Sequence, residues 1–258
     1  MRKKRISPAE RKHQDYLRRK GLKVGHVYET RLLHARAHEV KRVLAICKDY
    51  DNPAHWPGLI DTHLDETGYL PQWFNGLYSD TGLPMCKSTA RDLSKAKAAE
   101  DEALWLDSLR NYATNRAGSN IVIVSGTLRE SLINILRDEL AEEVTVGVEK
   151  LTKRIYAKYQ DIAKWQVRRI AQTESMIAMA DAADIAARTL DIKYTKQWCI
   201  SGLGNTRDTH QMMDGVEVDQ YEPFILPGGD LMYPHDGSLG ADAAEIINCA
   251  CCCIRRPK

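Results

Sequence analysis

Apolar residues recur every three or four positions through most of the first two-thirds of the chain, which is the spacing of an amphipathic helix. The run Ser7, Pro8, Ala9, Glu10 is typical of a helix start, because Ser can cap, Pro suits the first turn and Glu completes a capping box. We expect further helices over 27–50, 89–115, 144–159 and 162–190. Thr127 and Glu130 repeat the capping-box pattern and predict another start, whereas Gly21 and Gly25 are expected to interrupt the first helix.

The stretch 51–88 has a different pattern, because Pro and Gly alternate there with large aromatic residues. Helix breakers combined with aromatic residues predict an ordered irregular segment. We expect the aromatic residues to form a small core under a long loop, and a ligand-binding role is the alternative. The β-branched run 121–124 predicts a short strand or the lead-in to a helix.

After Asp191 the helical spacing ends, and short strands are predicted at 194–200, 215–218 and 245–254, joined by Gly, Pro and Asp turns. The predicted fold class is therefore α+β: a mainly helical N-terminal two-thirds followed by a small C-terminal α+β lobe with short antiparallel strands. Three segments are expected: a basic helical arm (1–50), an aromatic and Pro/Gly-rich region with a helix that binds a partner (51–126), and a C-terminal domain (127–258).

Composition and charge narrow the class of protein. The chain has 258 residues, of which 43% are hydrophobic, so it can bury a core, and its formal net charge is only +2. No apolar run approaches the roughly 18 to 20 residues of a membrane span, and no apolar stretch resembling a signal peptide follows the basic start. We therefore expect a protein that is made and kept in the cytosol, with no membrane partner.

Basic residues crowd the first 23 positions, which hold ten Lys or Arg against two acidic residues. Such an arm is a candidate for binding nucleic acid or an acidic partner, and a solvated helix face is the other interpretation. The candidate binding residues are Arg2, Lys3, Lys4, Arg5, Arg11, Lys12, Arg18, Arg19 and Lys20.

Four of the seven cysteines crowd into 249–253, which suggests reduced thiols or metal ligands in place of a disulfide framework. If 245–255 is a strand, alternate cysteines share one face, and histidines or Cys199 could complete a tetrahedral zinc site. The C-x-C spacing is tighter than the usual C-x-x-C, and small buried thiols in a reduced interior are the alternative. The candidate ligands of a structural zinc are His210, His235, Cys249, Cys251 and Cys253.

Two other groups of polar residues carry weaker signals. His34 and His38 are four residues apart on a predicted helix, but the Glu of a zincin motif is missing beside the first His. Five clustered polar residues could serve acid–base or metal-dependent hydrolysis: Arg207, His210, Asp214, His235 and Asp236. In the alternative, Arg207 and His210 hydrogen-bond the turns of an irregular lobe and Asp214 with Gly215 forms a tight turn. No Gly-x-Ser-x-Gly elbow, phosphate-binding Gly-rich loop or Gly-x-Gly-x-x-Gly motif is present.

A series of short motifs runs in a fixed order along the C-terminal half: Arg-x-Ala-x-Thr-Glu, a strand Trp, Arg-x-x-His-x-x-x-Asp-Gly, Tyr-Pro and Asn-Cys-x-Cys. Its residues are Arg169, Thr173, Glu174, Trp198, Arg207, His210, Asp214, Gly215, Tyr233, Pro234 and Asn248, with the two cysteines after Asn248. The series resembles the phage head-morphogenesis or minor capsid proteins, the phage Mu F-like domain. Ala250 stands where that family commonly has Arg, and His235-Asp236 where it commonly has Gly-Asp.

The resemblance implies that 127–258 is a phage Mu F-like domain in a virion protein. It implies a minor head protein at the portal vertex or head interior, present in the host cytoplasm during assembly. Its partners would be the portal protein and the major capsid protein, with viral DNA as a further one. Such a protein would act in head morphogenesis, DNA packaging or DNA ejection by binding, not as an enzyme. The alternative is a metal-dependent hydrolase or nuclease that uses the C-terminal His, Asp and Cys residues.

Overall fold

The computed structural model describes residues 2–66, 68–94, 102–141, 147–201 and 206–258, without the side chains at 2 and 116–122. Long helices come first and a small antiparallel sheet comes last, which confirms the α+β fold class. None of the described helices is long and apolar enough to cross a membrane. The helices are α1 (Pro8–Lys48), α2 (Trp56–His63), α3 (Leu70–Leu93), α4 (Glu102–Ala141), α5 (Val148–Thr189), α6 (Asp208–Met213) and α7 (Ala243–Ile246).

The predicted capping box opens α1. The backbone N–H of Ser7 donates to Glu10 Oε2 at 2.9 Å, and the N–H of Glu10 donates to Ser7 Oγ at 3.2 Å. The expected interruption at Gly21 and Gly25 is wrong, since the helix continues to Lys48. A Cβ on Gly25 would lie 2.4 Å from Ser175 Oγ of α5, so this glycine allows two helices to pack closely.

The irregular segment expected over 51–88 is also wrong, because it contains α2 and most of α3. Pro57 and Pro71 lie in first helical turns, where a backbone N–H has no partner within the helix and proline is tolerated. The strand considered at 121–124 and the helix start at Thr127 both fall inside α4. In these segments, burial of residues such as Trp56 and Phe74 outweighs the low helix propensity of Pro and Gly.

The chain divides into two compact units, each built from separate stretches of sequence. Unit 1 comprises 1–26, 75–112 and 171–258, and unit 2 comprises 27–74 and 113–170. These units do not coincide with the predicted segments 1–50, 51–126 and 127–258. The buried core of unit 2 includes Val40, Val43, Leu44, Trp56, Ile60, Leu128, Leu132, Leu136 and Ile155.

Unit 1 carries the sheet, whose strands are ordered β1-β3-β2-β6, and a separate β4-β5 hairpin. All pairings are antiparallel, and Trp198 of β2 lies opposite Cys253 of β6. The strands are β1 (Arg2–Lys3), β2 (Tyr194–Cys199), β3 (Val216–Asp219), β4 (Phe224–Leu226), β5 (Gly229–Leu231) and β6 (Cys252–Pro257).

The strands predicted at 194–200 and 215–218 are confirmed by β2 and β3. The strand predicted at 245–254 is wrong over its first half, where α7 and a turn precede β6. Residues 2–3 of the predicted basic arm pair with β3 as an edge strand.

Candidate metal centre in the C-terminal lobe

Three potential metal ligands meet in the C-terminal lobe, by which we mean residues 190–258 of unit 1. His210 Nδ1 lies 3.5 Å from Cys249 Sγ and 3.5 Å from Cys251 Sγ. The three atoms lie within 4.8 Å of one another, and all three residues are buried. Zn–N bonds of about 2.0 Å and Zn–S bonds of about 2.3 Å at a tetrahedral angle separate N and S by roughly 3.5 Å. The spacing therefore fits one zinc ion between these atoms.

Local structure explains why these residues converge. His210 lies on α6, and its ring packs edge-on against Trp198, with centroids 5.2 Å apart. Asn248 has a φ of 55°, a left-handed conformation that Asn adopts more readily than most residues. This reverses the chain after α7 and brings Cys249 and Cys251 beneath His210.

A carboxylate supports the outer side of the His210 ring. Nε2 of His210 lies 2.8 Å from Glu245 Oε2, and both side chains are buried. Thr209 Oγ1 donates to the same carboxylate oxygen at 3.2 Å. A carboxylate at Nε2 holds the ring proton there and leaves the Nδ1 lone pair facing the sulfurs, as in carboxylate–histidine–zinc arrangements.

His235 is the second histidine at the centre and is 1% exposed. Its Nε2 donates to the carbonyl oxygen of Cys251 at 3.0 Å, and its Nδ1 has no hydrogen-bond partner. Burial acts to lower the pKa of His235, but the neighbouring Cys249 sulfur outweighs burial and raises it.

The pKa values of the Cys249 and Cys251 thiols are shifted in opposite directions. The hydrogen bond from Cys251 holds the pKa of the Cys249 thiol well below its ordinary value, against the effect of burial. That same hydrogen bond, followed by burial, raises the pKa of Cys251. A thiolate next to a second thiol and an imidazole lone pair is a donor set that attracts a soft or borderline cation.

The predicted ligand Cys253 does not belong to this cluster. It lies in β6, near the cationic groups of Lys196 and Arg255, and burial raises its pKa. Period-two alternation failed here because β6 begins only at Cys252, after the turn that holds Cys249 and Cys251. Cys199, the other cysteine considered, faces Cys252 across the β2–β6 ladder.

Asp214 was considered for acid–base or metal-dependent chemistry, but Asp214 and Gly215 both make contacts that stabilise the sheet. Asp214 accepts two hydrogen bonds from Arg11, at 3.3 and 2.5 Å, and one from the N–H of Ile200 at 3.1 Å. Gly215 has a φ of 78°, and its carbonyl accepts the N–H of Lys4 at 2.8 Å. Asp214 is therefore committed to an arginine and a backbone amide.

Three more motif residues anchor the turns around the centre. Arg207 donates to the carbonyl oxygen of Ile247, and Thr173 Oγ1 accepts the N–H of Asn248 at 3.3 Å. Both bonds hold the segment that carries Cys249 and Cys251. A cavity of about 320 Å³ borders the centre here, and Thr173, Arg207 and Asn248 are among its lining residues.

The remaining motif residues are spread more widely. Glu174 lies 3.4 Å from the hydroxyl of Tyr78, and Tyr233 donates to Asp181 at 3.1 Å just before Pro234. Arg169 is exposed, and its guanidinium lies 4.6 Å from the ring centroid of Trp165.

Several candidate binding residues of the N-terminus are paired. Lys4 lies 3.4 Å from Glu217, Arg11 binds Asp214, and the largely buried Arg18 donates to Asp15 at 2.9 Å. Lys20 lies over the Tyr16 ring at 4.8 Å. Lys3, Arg5, Lys12 and Arg19 are exposed, and binding of nucleic acid by these side chains stays a prediction.

His34 and His38 lie exposed on α1 in a groove of about 460 Å³ within unit 2. They belong to no group of three metal-binding side chains in the part of the chain that the structure describes. Glu245, by contrast, is a site residue that sequence reasoning missed. A lone Glu in a helix of four residues carries no signal of its own.

No family model and no solved structure matches this chain. A curated protein of Enterococcus faecalis, the NAD(+)–arginine ADP-ribosyltransferase EFV, is 33% identical to it over 132 residues. The match covers 46% of this chain and 26% of that protein, so the chain spans about a quarter of the relative's length.

The relative contradicts the expectation of a phage minor head protein that acts by binding and is not an enzyme, because it is named as an enzyme. The resemblance to head-morphogenesis proteins stays a prediction. The virion location and the portal, capsid and DNA partners are likewise untested.

Proposed function

We propose that the C-terminal lobe is a zinc-binding module. The observation that carries the proposal is the position of His210 Nδ1, 3.5 Å from the sulfurs of both Cys249 and Cys251. Glu245 supports this arrangement from the other side of the ring. Two thiols with imidazole nitrogen favour zinc over the hard cations Mg²⁺ and Ca²⁺, which prefer oxygen.

The metal would connect α6 to the turn before β6 and so stabilise a lobe made of short elements. Structural zinc contributes on the order of 10 kcal/mol to the folding of small domains. The strands here have between two and six residues, and few of them could be stable alone. A bound metal offsets that weakness.

The test is the metal content of the full chain purified under reducing conditions without a histidine tag. Elemental analysis is expected to find one zinc per chain, and the double variant Cys249→Ala/Cys251→Ala is expected to have none. Cys253→Ala is the matched control, since it changes a neighbouring buried cysteine outside the cluster and should keep the zinc. Wild-type protein without zinc after purification and after zinc addition would refute the proposal.

A second candidate function is transfer of ADP-ribose from NAD(+) to arginine, and the named relative supports it. The matched region is about a quarter of that relative, so the activity has to be tested on this chain itself. The purified chain would be incubated with NAD(+) and the arginine analogue agmatine, and ADP-ribosyl-agmatine would be followed by mass spectrometry. Product above an enzyme-free control supports the candidate, and its absence at high protein concentration removes it.

A further inference from the structure

His235 combines a left-handed backbone conformation with a buried polar ring. Its φ is 75°, in the left-handed region that residues other than Gly seldom adopt. The residue is also almost completely buried, so its polar ring has lost contact with water. Strained backbone at a buried polar residue is typical of functional positions.

The surrounding turn holds this conformation firmly. The Asp236 carboxylate accepts the N–H of Met232 at 3.0 Å and both the N–H and the hydroxyl of Ser238 at 2.9 Å. On the other side, the Tyr233 hydroxyl donates to the buried Asp181 at 3.1 Å. These bonds hold the backbone on both sides of His235, and none of them involves the ring itself.

The ring presents an unused lone pair to the cluster. Nε2 donates to the carbonyl oxygen of Cys251, which fixes the proton on that nitrogen. In the neutral ring Nδ1 then carries the lone pair, and it makes no hydrogen bond of ordinary geometry. The Cys249 sulfur is a neighbour that interacts with this ring. An absent ion or water is an ordinary explanation of a buried polar atom without a partner.

We infer that His235 Nδ1 is the fourth protein ligand of the zinc and closes a Cys₂His₂ site with His210, Cys249 and Cys251. The inference rests on the proposed zinc-binding function. His235 Nδ1 is outside the group of atoms within 4.8 Å of one another, so coordination requires its ring to approach the sulfurs. Both histidines then coordinate through Nδ1, and each Nε2 is held by an oxygen acceptor.

A closed site has a chemical consequence. Structural zinc sites have four protein ligands, whereas catalytic ones keep a position for water or substrate. The cavity beside Cys249 and Cys251 could supply water as a fourth ligand if His235 did not bind. Coordination by His235 therefore assigns the metal to folding, and it argues against the metal-dependent hydrolase considered from the sequence.

The metal would also close two loops of the lobe. His210, His235 and Cys249 are separated by 24 and 13 intervening residues along the chain. Joining them at one point restricts the unfolded lobe in the way that a cross-link does. The ligands come from α6, from the turn around His235 and from the turn before β6, so one metal would link three separate parts of the lobe.

The experiment compares zinc affinity and coordination in the full chain. Competition with a chromophoric chelator should show that His235→Ala binds zinc at least about 100-fold more weakly than wild type, and added imidazole should restore part of the loss. The exposed His38→Ala is the matched control and should bind like wild type. If wild type binds stoichiometric zinc and His235→Ala matches its affinity, the inference fails while the zinc-binding function stands. If wild type binds no zinc, the function itself fails.

A measurement on unaltered protein covers the case in which His235→Ala does not fold. Wild-type chain with ¹⁵N-labelled histidine is loaded with ¹¹³Cd in place of zinc. Nuclear magnetic resonance coupling from cadmium to the Nδ1 atoms of two histidines, one of them His235, is expected. Coupling to His210 alone would overturn the inference.

Discussion

The two compact units each bury a polar centre, and the two centres are built on opposite plans. In unit 2, Arg36 and Glu66 are fully buried and form two hydrogen bonds, at 2.8 and 3.2 Å, while Arg36 also donates to the carbonyl of Val124 at 2.6 Å. Positive and negative charge meet there. In unit 1, His210 Nδ1 and the sulfurs of Cys249 and Cys251 face one another, and all three can bind a metal.

The difference teaches how a structural polar core can be told from a ligand site. A buried ion pair carries its own counter-charge, so no further ion has to bind to neutralise it. Two thiols and an imidazole nitrogen within 4.8 Å of one another form a donor set for a soft or borderline cation. We therefore expect the polar centre of unit 1, and not that of unit 2, to depend on something the chain does not supply.

Removing metal should have the largest effect. A strong chelator is expected to destabilise the C-terminal lobe by on the order of 10 kcal/mol and to leave unit 2 folded. Hydrogen exchange should become fast over 206–258 and stay slow in the buried part of 27–74. Re-addition of zinc should reverse the change, and equal exchange rates with and without chelator would contradict the comparison.

Breaking the ion pair of unit 2 should come next in size. Arg36→Ala leaves Glu66 charged, buried and without its partner, so a loss of about 3–5 kcal/mol is expected. The double variant Arg36→Leu/Glu66→Leu removes both charges and should lose less. The stability of both variants is measured by urea unfolding and by hydrogen exchange within 27–74. Zinc content should stay at the wild-type value, and a double variant no better than Arg36→Ala would contradict the account.

Features that depend on residues close together in the sequence were predicted, whereas features that depend on tertiary contacts were missed. The capping box at Ser7 and Glu10 is local, and so are β2 and β3, and all of these were confirmed. Helices α2 and α3 were missed because tertiary burial of aromatic residues outweighs the Pro and Gly content of that stretch.

The same limit applies to the candidate site. Cys249, Cys251 and His210 could be proposed from composition, because thiols and imidazoles crowd into the lobe. Cys253 was included by assuming a strand that begins too late to support it. Glu245 and the buried Arg36–Glu66 pair could not be proposed at all, because each depends on contacts between residues about 30 or more positions apart.

Gly215 allows the contribution of the backbone to the stability of the C-terminal lobe to be measured separately from that of the metal. An added Cβ would meet Lys4 O at 2.8 Å, and the φ of 78° is unfavourable for any side chain. Gly215→Ala should therefore cost about 1–3 kcal/mol with zinc content unchanged. Gly240→Ala is the matched control, since φ is 80° there but no atom lies within 4 Å of the new Cβ. Equal losses in thermal unfolding would show that the contact with Lys4 contributes nothing.

The smallest expected effect is the response of unit 2 to acid. Burial acts to raise the pKa of Glu39, but hydrogen bonds from Arg42 and from the N–H of Asp65 outweigh it, so the pKa lies below 4.5. A lowered pKa means that the folded state binds the proton less readily than the unfolded state. The resulting stability is complete above pH 4.5 and is lost as the pH falls through the folded value.

Glu39→Gln should cost about 0.5–1 kcal/mol at neutral pH and flatten the acid limb of a urea-stability profile for unit 2. Glu29→Gln, which changes another acidic residue of the same helix, should leave that limb in place. An acid limb that persists in Glu39→Gln would show that other carboxylates carry the pH response of unit 2.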